Sequence, residues 1–378
     1  MKIQVHENRT CFFFSFFVVC FFLLIQNSQQ QRPQNTTCPF KYIYSFGDGI
    51  TDIGNTVRVL PFGPFLPAAR SPYGQTFPGQ PTGRWSDGRI AIDYIGSDLG
   101  LPNIVPYLSL RGSTSNDGVI FSAARSTTLD RLFFKLRGVA IPPYAIPLSG
   151  QLRWFKAYLS SLCSTPQDCA NIVGDSVIIL GDIEANDIGY ALEQGKSIQQ
   201  VETYVPFIIR ALIEAATELI RMGATRVVLT GSVPVGCYPY ILTALQTNNA
   251  TAYDDLGCLK SVNDLILSKN QLLQEAVTNL AAQFPNVGVY YAGIYDSVQS
   301  IIRQSSISGN MTLKSCCGIG GQYNYDRRRF CGSRGVLVCA NPSEYIYWDG
   351  LHFTQDLYAQ YTNIVVPPFL PVLGCTSN

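Results

Sequence analysis

Histidine is almost missing from this chain. Of 378 residues only two are histidine, His6 and His352. Net charge is missing too, with 27 Lys and Arg against 26 Asp and Glu, spread along the sequence. That balance leaves no basic stripe for a polyanion, so no nucleic-acid partner is expected. So few imidazoles, and no paired C-x-x-C, argue against a metal centre, and no cofactor is expected. Beyond the N-terminus no apolar run approaches the ~20 residues of a membrane span. Internal repeats and long low-complexity linkers are absent as well.

The one long apolar run lies at the start. Lys2 and Arg9 precede Cys11 to Ile25, and a polar stretch from Gln26 to Gln34 follows. A basic segment before a short apolar one reads as a signal peptide, residues 1–28, cleaved somewhere between 26 and 34. The expected product runs from 38 to 378 as one domain. At 47% hydrophobic the chain has ample material for such a core.

Twelve cysteines are present, and Cys11 and Cys20 leave with the apolar segment. The remaining ten are Cys38, Cys163, Cys169, Cys237, Cys258, Cys316, Cys317, Cys331, Cys339 and Cys375. An even number after a leader reads as disulfides. Cys163 with Cys169 and Cys237 with Cys258 are candidate local pairs; spacing does not fix the rest. Sequons at Asn35, Asn249 and Asn310 fit a glycoprotein of the secretory pathway. Secretion to the exterior is expected, with vacuole and ER left open.

Strand and helix signals alternate from Tyr42 onward. Strands are expected at Tyr42 to Phe46, Asp175 to Gly181, Thr225 to Thr230 and Val287 to Tyr291. Helices are expected at Gly150 to Leu162, Val201 to Met222, Leu259 to Phe284, Ile294 to Gln304 and Asp356 to Val366. The last should stop at Pro367-Pro368. Alternation of this kind implies an α/β three-layer sandwich, a central parallel sheet with helices on both faces. In such sheets the site lies outside the carboxyl ends of the strands, so the loops after Phe46, Leu180 and Thr230 should converge. Leu60 to Gly88, rich in Pro and Gly, reads as a lid-like surface loop.

Motifs then recur in order. Phe46-Gly47-Asp48-Gly49-Ile50-Thr51-Asp52-Ile53-Gly54-Asn55 resembles the first block of the plant GDSL esterase/lipase family, F-G-D-S-x-x-D-x-G-N. Pro72-Tyr73-Gly74, Thr82 to Arg89, Gly231 to Cys237 and the Cys316-Cys317-Gly318 stretch are similar to later segments of that family. The resemblance covers nearly all of the chain from Tyr42 onward. It implies the SGNH hydrolase fold, named for Ser, Gly, Asn and His in four blocks, and ester hydrolysis as the family activity.

Each block carries a residue-level expectation. Gly49 stands where the family has its nucleophilic serine, and glycine has no oxygen with which to form an acyl-enzyme. Thr51, two residues on, is displaced by several Å from that place, where near-attack geometry tolerates about 1 Å; as a turn hydroxyl it needs no catalytic role. In Gly118 to Ser126 the family asparagine becomes Ile120 and the oxyanion-hole glycine becomes Arg125. Its guanidinium would anchor a carboxylate or other oxyanion, or else be solvent-exposed or salt-bridged on a remodelled loop. Asn186, in the loop after Leu180, would donate its amide to an oxyanion, and Gly49 completes that ligand-binding set. Asp349 and His352 match W-D-x-x-H-x-T, with Asp349 orienting and His352 the base.

Three functions follow from the resemblance. In the first, His352 and Asp349 act by acid–base chemistry (elimination, cyclisation, isomerisation or direct water attack on a labile ester) on an ester- or acid-bearing plant metabolite. The second is a non-catalytic binding or accessory protein of the myrosinase-associated type, for which a protein partner is open. The third is a hydrolase with an unrecognised nucleophile.

Overall fold

The computed structural model describes residues 36–377; the apolar leader and Asn35 lie outside them. Six strands form one parallel sheet: β1 (Tyr42–Gly47), β2 (Val105–Pro106), β3 (Gly118–Ile120), β4 (Ser176–Gly181), β5 (Arg226–Thr230) and β6 (Gly288–Ala292). Their spatial order is β2-β3-β1-β4-β5-β6. β1 and β4 run in register from Tyr42↔Ser176 to Gly47↔Gly181. Every residue of β4 is buried, which is why Ser-Val-Ile-Ile-Leu-Gly reads as a continuous apolar run rather than an alternating one. The expected α/β sandwich is borne out.

One face of the sheet carries α1 (Leu148–Leu162), α2 (Val205–Arg221) and α3 (Lys260–Gln283); the other carries Ala91–Asp98, Tyr295–Ile307 and α4 (Gln355–Phe369). In α2, Val205, Ile208, Leu212, Ala215, Ala216, Leu219 and Ile220 recur at helical spacing and form the buried stripe.

Three local expectations are corrected. The helix read at 201–222 is two: Ile198–Glu202, started by a Ser197/Gln200 capping box, and α2, with Pro206 in its first turn. The last helix runs through Pro367 and Pro368 to Phe369; each proline forfeits its own N–H bond, and the helix ends one residue after the pair. The stretch 60–88 is not wholly a surface loop: Leu60 and Phe65 are exposed, but Tyr73, Trp85, Ser86 and Asp87 are buried.

Five disulfides close the structure: Cys38–Cys375, Cys163–Cys169, Cys237–Cys258, Cys316–Cys339 and Cys317–Cys331. The two expected local pairs are among them. Beside the first, Thr36–Thr37 pairs with Thr376–Ser377 as a short antiparallel ribbon. No helix among the described residues is long and apolar enough to cross a membrane.

Candidate active site

The chain order turns at β1: β2 and β3 are added on one side, β4 to β6 on the other. This is the switch point at which α/β sheets open a crevice. The strands end there in a glycine pair, and a Cβ on Gly47 would lie 2.7 Å from the carbonyl of Gly181. The loops after β1, β4 and β5 converge as expected: Asn186, beyond β4, donates to Asp48 Oδ2 at 2.9 Å, and Lys269 bridges Glu184 to Ser232 beyond β5.

Asp349 and His352 sit side by side in the loop before α4, both nearly fully buried. Asp349 Oδ1 accepts the backbone N–H groups of Leu351 and His352 at 3.0 and 2.9 Å, an Asx-type turn that fixes the carboxylate. The imidazole Nδ1 lies 3.0 and 2.9 Å from the two carboxylate oxygens. Burial would raise the Asp349 carboxyl, but the His352 imidazole, the hydroxyl of Tyr73 and the Leu351 amide outweigh it and hold it below the ordinary value. An ionised carboxylate only accepts, so the proton belongs on Nδ1 and the Nε2 lone pair is free. Tyr73 donates to Asp349 Oδ2 at 2.6 Å, and Trp85 packs on the imidazole with ring centroids 5.0 Å apart.

Nε2 faces Gly49. A Cβ built on Gly49 would lie 2.6 Å from His352 Cδ2 and closer still to Nε2, so the ring fills the space a side chain would need. Nε2 has no hydrogen-bond partner among the described residues. Thr51 gives its hydroxyl to Ser122 Oγ at 2.7 Å and takes no part.

The second side of the site is the loop from Ser122 to Leu129. Asp52, Tyr190, Asn186 and Asp187 help to hold it. Asp52 Oδ2 accepts the Ala124 amide at 2.9 Å, and Tyr190 donates to the Arg125 carbonyl at 2.9 Å. Asn186 donates to the Ser126 carbonyl at 2.8 Å, and Asp187 accepts the amides of Thr128 and Leu129 at 2.7 and 2.9 Å. So clamped, Arg125 keeps a backbone φ of 66°, in the region glycine prefers. Its guanidinium lies 4.8 Å over the Tyr190 ring and has no carboxylate partner among the described residues. The N–H groups of Gly49 and Arg125 find no acceptor among the described residues either.

Asn186 lies in the first turn of a helix, Glu184–Glu193, that the sequence reading took for a loop. Its amide also donates to Asp48 Oδ2 at 2.9 Å, so both protons are engaged. Burial pushes the Asp48 carboxyl up to about 6 despite the Ile50 amide and His352 nearby, and pushes Asp187 up to about 8.

Part of this site opens on a cleft of ≈ 480 Å³. His352, Asp349 and Arg125 line it, with Tyr73 and Trp85 from the 60–88 stretch and the Cys317–Cys331 disulfide from the cysteine-rich stretch. A family profile described as GDSL-like lipase/acylhydrolase matches residues 43–365.

The chain belongs to the GDSL-like lipase/acylhydrolase family.

Acetylajmalan esterase of Rauvolfia serpentina is 45% identical over 90% of this chain and 88% of its own. Sinapine esterase of Brassica napus is 40% identical over 84% of this chain and 82% of its own. A solved phospholipase A1 from Streptomyces albidoflavus matches at 11% identity and a TM-score of 0.37, covering 89% of this chain and 98% of that one; no argument rests on it. Within this GDSL family member, sequence reasoning named His352, Asp349, Arg125, Asn186 and Gly49. The structure gathers all five around the ends of β1 and β4. Missed were Tyr73 and Trp85, whose segments were matched to the family without a role, and Asp48 and Asp187, each adjacent to a residue that was named.

Proposed function

We propose that this GDSL-family protein has no acyl-serine chemistry and acts on a small, ester- or acid-bearing plant metabolite through the His352–Asp349 pair. Gly49 takes the place of the family's serine. Loss of that hydroxyl alone costs a triad enzyme on the order of 10⁶-fold in turnover. The observation that carries the reading is the pairing of an oriented, unpartnered Nε2 with the absence of a hydroxyl beside it. Such a nitrogen still moves protons, and general acid–base action gives ~10²–10⁴-fold, enough for a reactive metabolite. Arg125 supplies a free positive charge for a carboxylate or a developing oxyanion. The N–H groups of Gly49 and Arg125 are further donors, and Asn186 joins them when Asp48 releases it. The names of the relatives point to small specialised esters as ligands. The 38–378 chain would act as one secreted, glycosylated domain.

The test is untargeted metabolite profiling of plant extract incubated with wild type and with His352→Ala. A substrate should vanish and a product appear with wild type alone. Identical profiles that both differ from the no-protein control would defeat the acid–base reading. A second reading, a binding or accessory protein, draws on the ring filling the space at Gly49. It predicts ligand retention by both forms with no product from either.

A further inference from the structure

Imidazole nitrogen is not only a base; it is also an acyl acceptor. In this site the Nε2–Cδ2 edge of the His352 ring lies against the place where a side chain on Gly49 would stand, and His352 lines the cleft. Thr51, the hydroxyl nearest to Gly49 in sequence, is already bonded to Ser122. We propose that His352 Nε2 is itself the nucleophile toward activated acyl donors, phenolic or enol esters, and that the protein turns them over through an N-acylimidazole. The inference rests on the reading of Gly49 as the vacated nucleophile position.

The step balances as follows. The Nε2 lone pair adds to the ester carbonyl carbon, and the C=O pair moves to oxygen, within reach of the free N–H groups of Gly49 and Arg125. Collapse breaks the bond to the leaving oxygen, which departs as a phenolate or enolate and later takes a proton from solvent. The ring is now an acylated imidazolium, its Nδ1 proton held on Asp349, which is braced in turn by the Tyr73 hydroxyl. Water adds to the acyl carbon and gives one proton to solvent, matching the one the phenolate or enolate takes up; the C–N bond then breaks, and carboxylic acid and neutral imidazole are regenerated. The net reaction is ester plus water giving acid plus phenol or enol. Alkyl esters are excluded, because an alkoxide leaves less readily than the imidazole that displaced it.

His352 is the one histidine among the described residues, so an adduct can be assigned. Two probes suffice. 4-Nitrophenyl dimethylcarbamate should leave about one carbamoyl group per chain, mapped by mass spectrometry to the His352 peptide, as a covalent intermediate requires. Phenyl acetate and 4-nitrophenyl acetate, each hydrolysed with hydroxylamine present, should give the same ratio of hydroxamate to acetate, because both pass through one acyl-protein. His352→Gln should lose label and turnover; Thr51→Val should keep both. A ratio that follows the leaving group, with no label but with turnover still dependent on His352, overturns the nucleophile and leaves the acid–base function standing. A label on another residue, or no aryl ester turnover by wild type, also overturns it. Turnover unchanged in His352→Gln defeats both readings.

Discussion

At Gly49 and His352 one residue's missing side chain is another residue's position. The imidazole is held by Asp349 on one edge and Trp85 on its face, so it does not yield cheaply. Gly49→Ser should therefore behave as overpacking, costing about 1–3 kcal/mol, read as a lower urea midpoint. Its labelling by a fluorophosphonate probe should stay far below that of a serine-bearing family member; labelling at the family rate would show that the ring moves aside freely. Arg125 makes the opposite case. Left-handed backbone costs a non-glycine residue roughly 1–2 kcal/mol, offset in part by the entropy glycine loses on folding. Arg125→Gly should leave stability unchanged or slightly raised while weakening the binding of an anionic ligand, whereas Arg125→Ala should lose the binding without relieving the backbone. Paired thermal melts and titrations separate the two. Asp48 sets a pH dependence. Its folded value, about 6, lies above the unfolded value of about 3.9. Its contribution to stability is full below the unfolded value and is lost as pH rises through about 6. The urea midpoint of wild type should fall more between pH 4 and 6 than that of Asp48→Asn.

Elements differ in how openly the sequence announces them. Buried parallel strands were legible because β4 and β5 have no polar face to interrupt the apolar run. β2 and β3, two and three residues long, are too short for any periodicity and exist because β1 pairs with β3 and β3 in turn with β2. The helix beginning at Glu184 was missed because its first turn carries Glu184, Asn186 and Asp187, which read as turn residues. In the fold they are spent on the neighbouring loop and on Lys269, whose ammonium lies 2.8 Å from Glu184 with both side chains buried. The motif residues of the site were legible by type, yet the clamp on the Arg125 loop joins Asp52, Asn186, Asp187 and Tyr190, and no local pattern links those positions. The wall of the cleft near Cys317–Cys331 closes a 14-residue separation. Replacing both cysteines with alanine should cost roughly 3 kcal/mol on a loop-entropy view. Ligand affinity should fall more than in a Cys163→Ala/Cys169→Ala control, whose disulfide does not line the cleft.

On the scale of the whole molecule, the sheet order places the site and the core holds it still. Apolar side chains from all six strands' layers and both helical faces pack into one cluster, so the Gly47–Gly181 end is supported from beneath. Surface features follow from the same frame. Asn249 is exposed, and its amide oxygen accepts the Thr251 hydroxyl at 2.8 Å within the sequon; Asn310 is half-buried between a turn and the strand Met311–Ser315. Protein made through a eukaryotic secretory route should lose mass on enzymatic N-glycan removal, more completely at Asn249 than at Asn310, as peptide mapping would report.

The ribbon of Thr36–Thr37 with Thr376–Ser377, stapled by Cys38–Cys375, joins the chain's described ends just before β1 begins, whereas the cleft opens where β1 finishes. A tether attached near either end would thus hold the molecule by its base and turn the mouth of the cleft toward solution. Immobilised specimens should take up ligand as readily as free ones, whichever end is anchored.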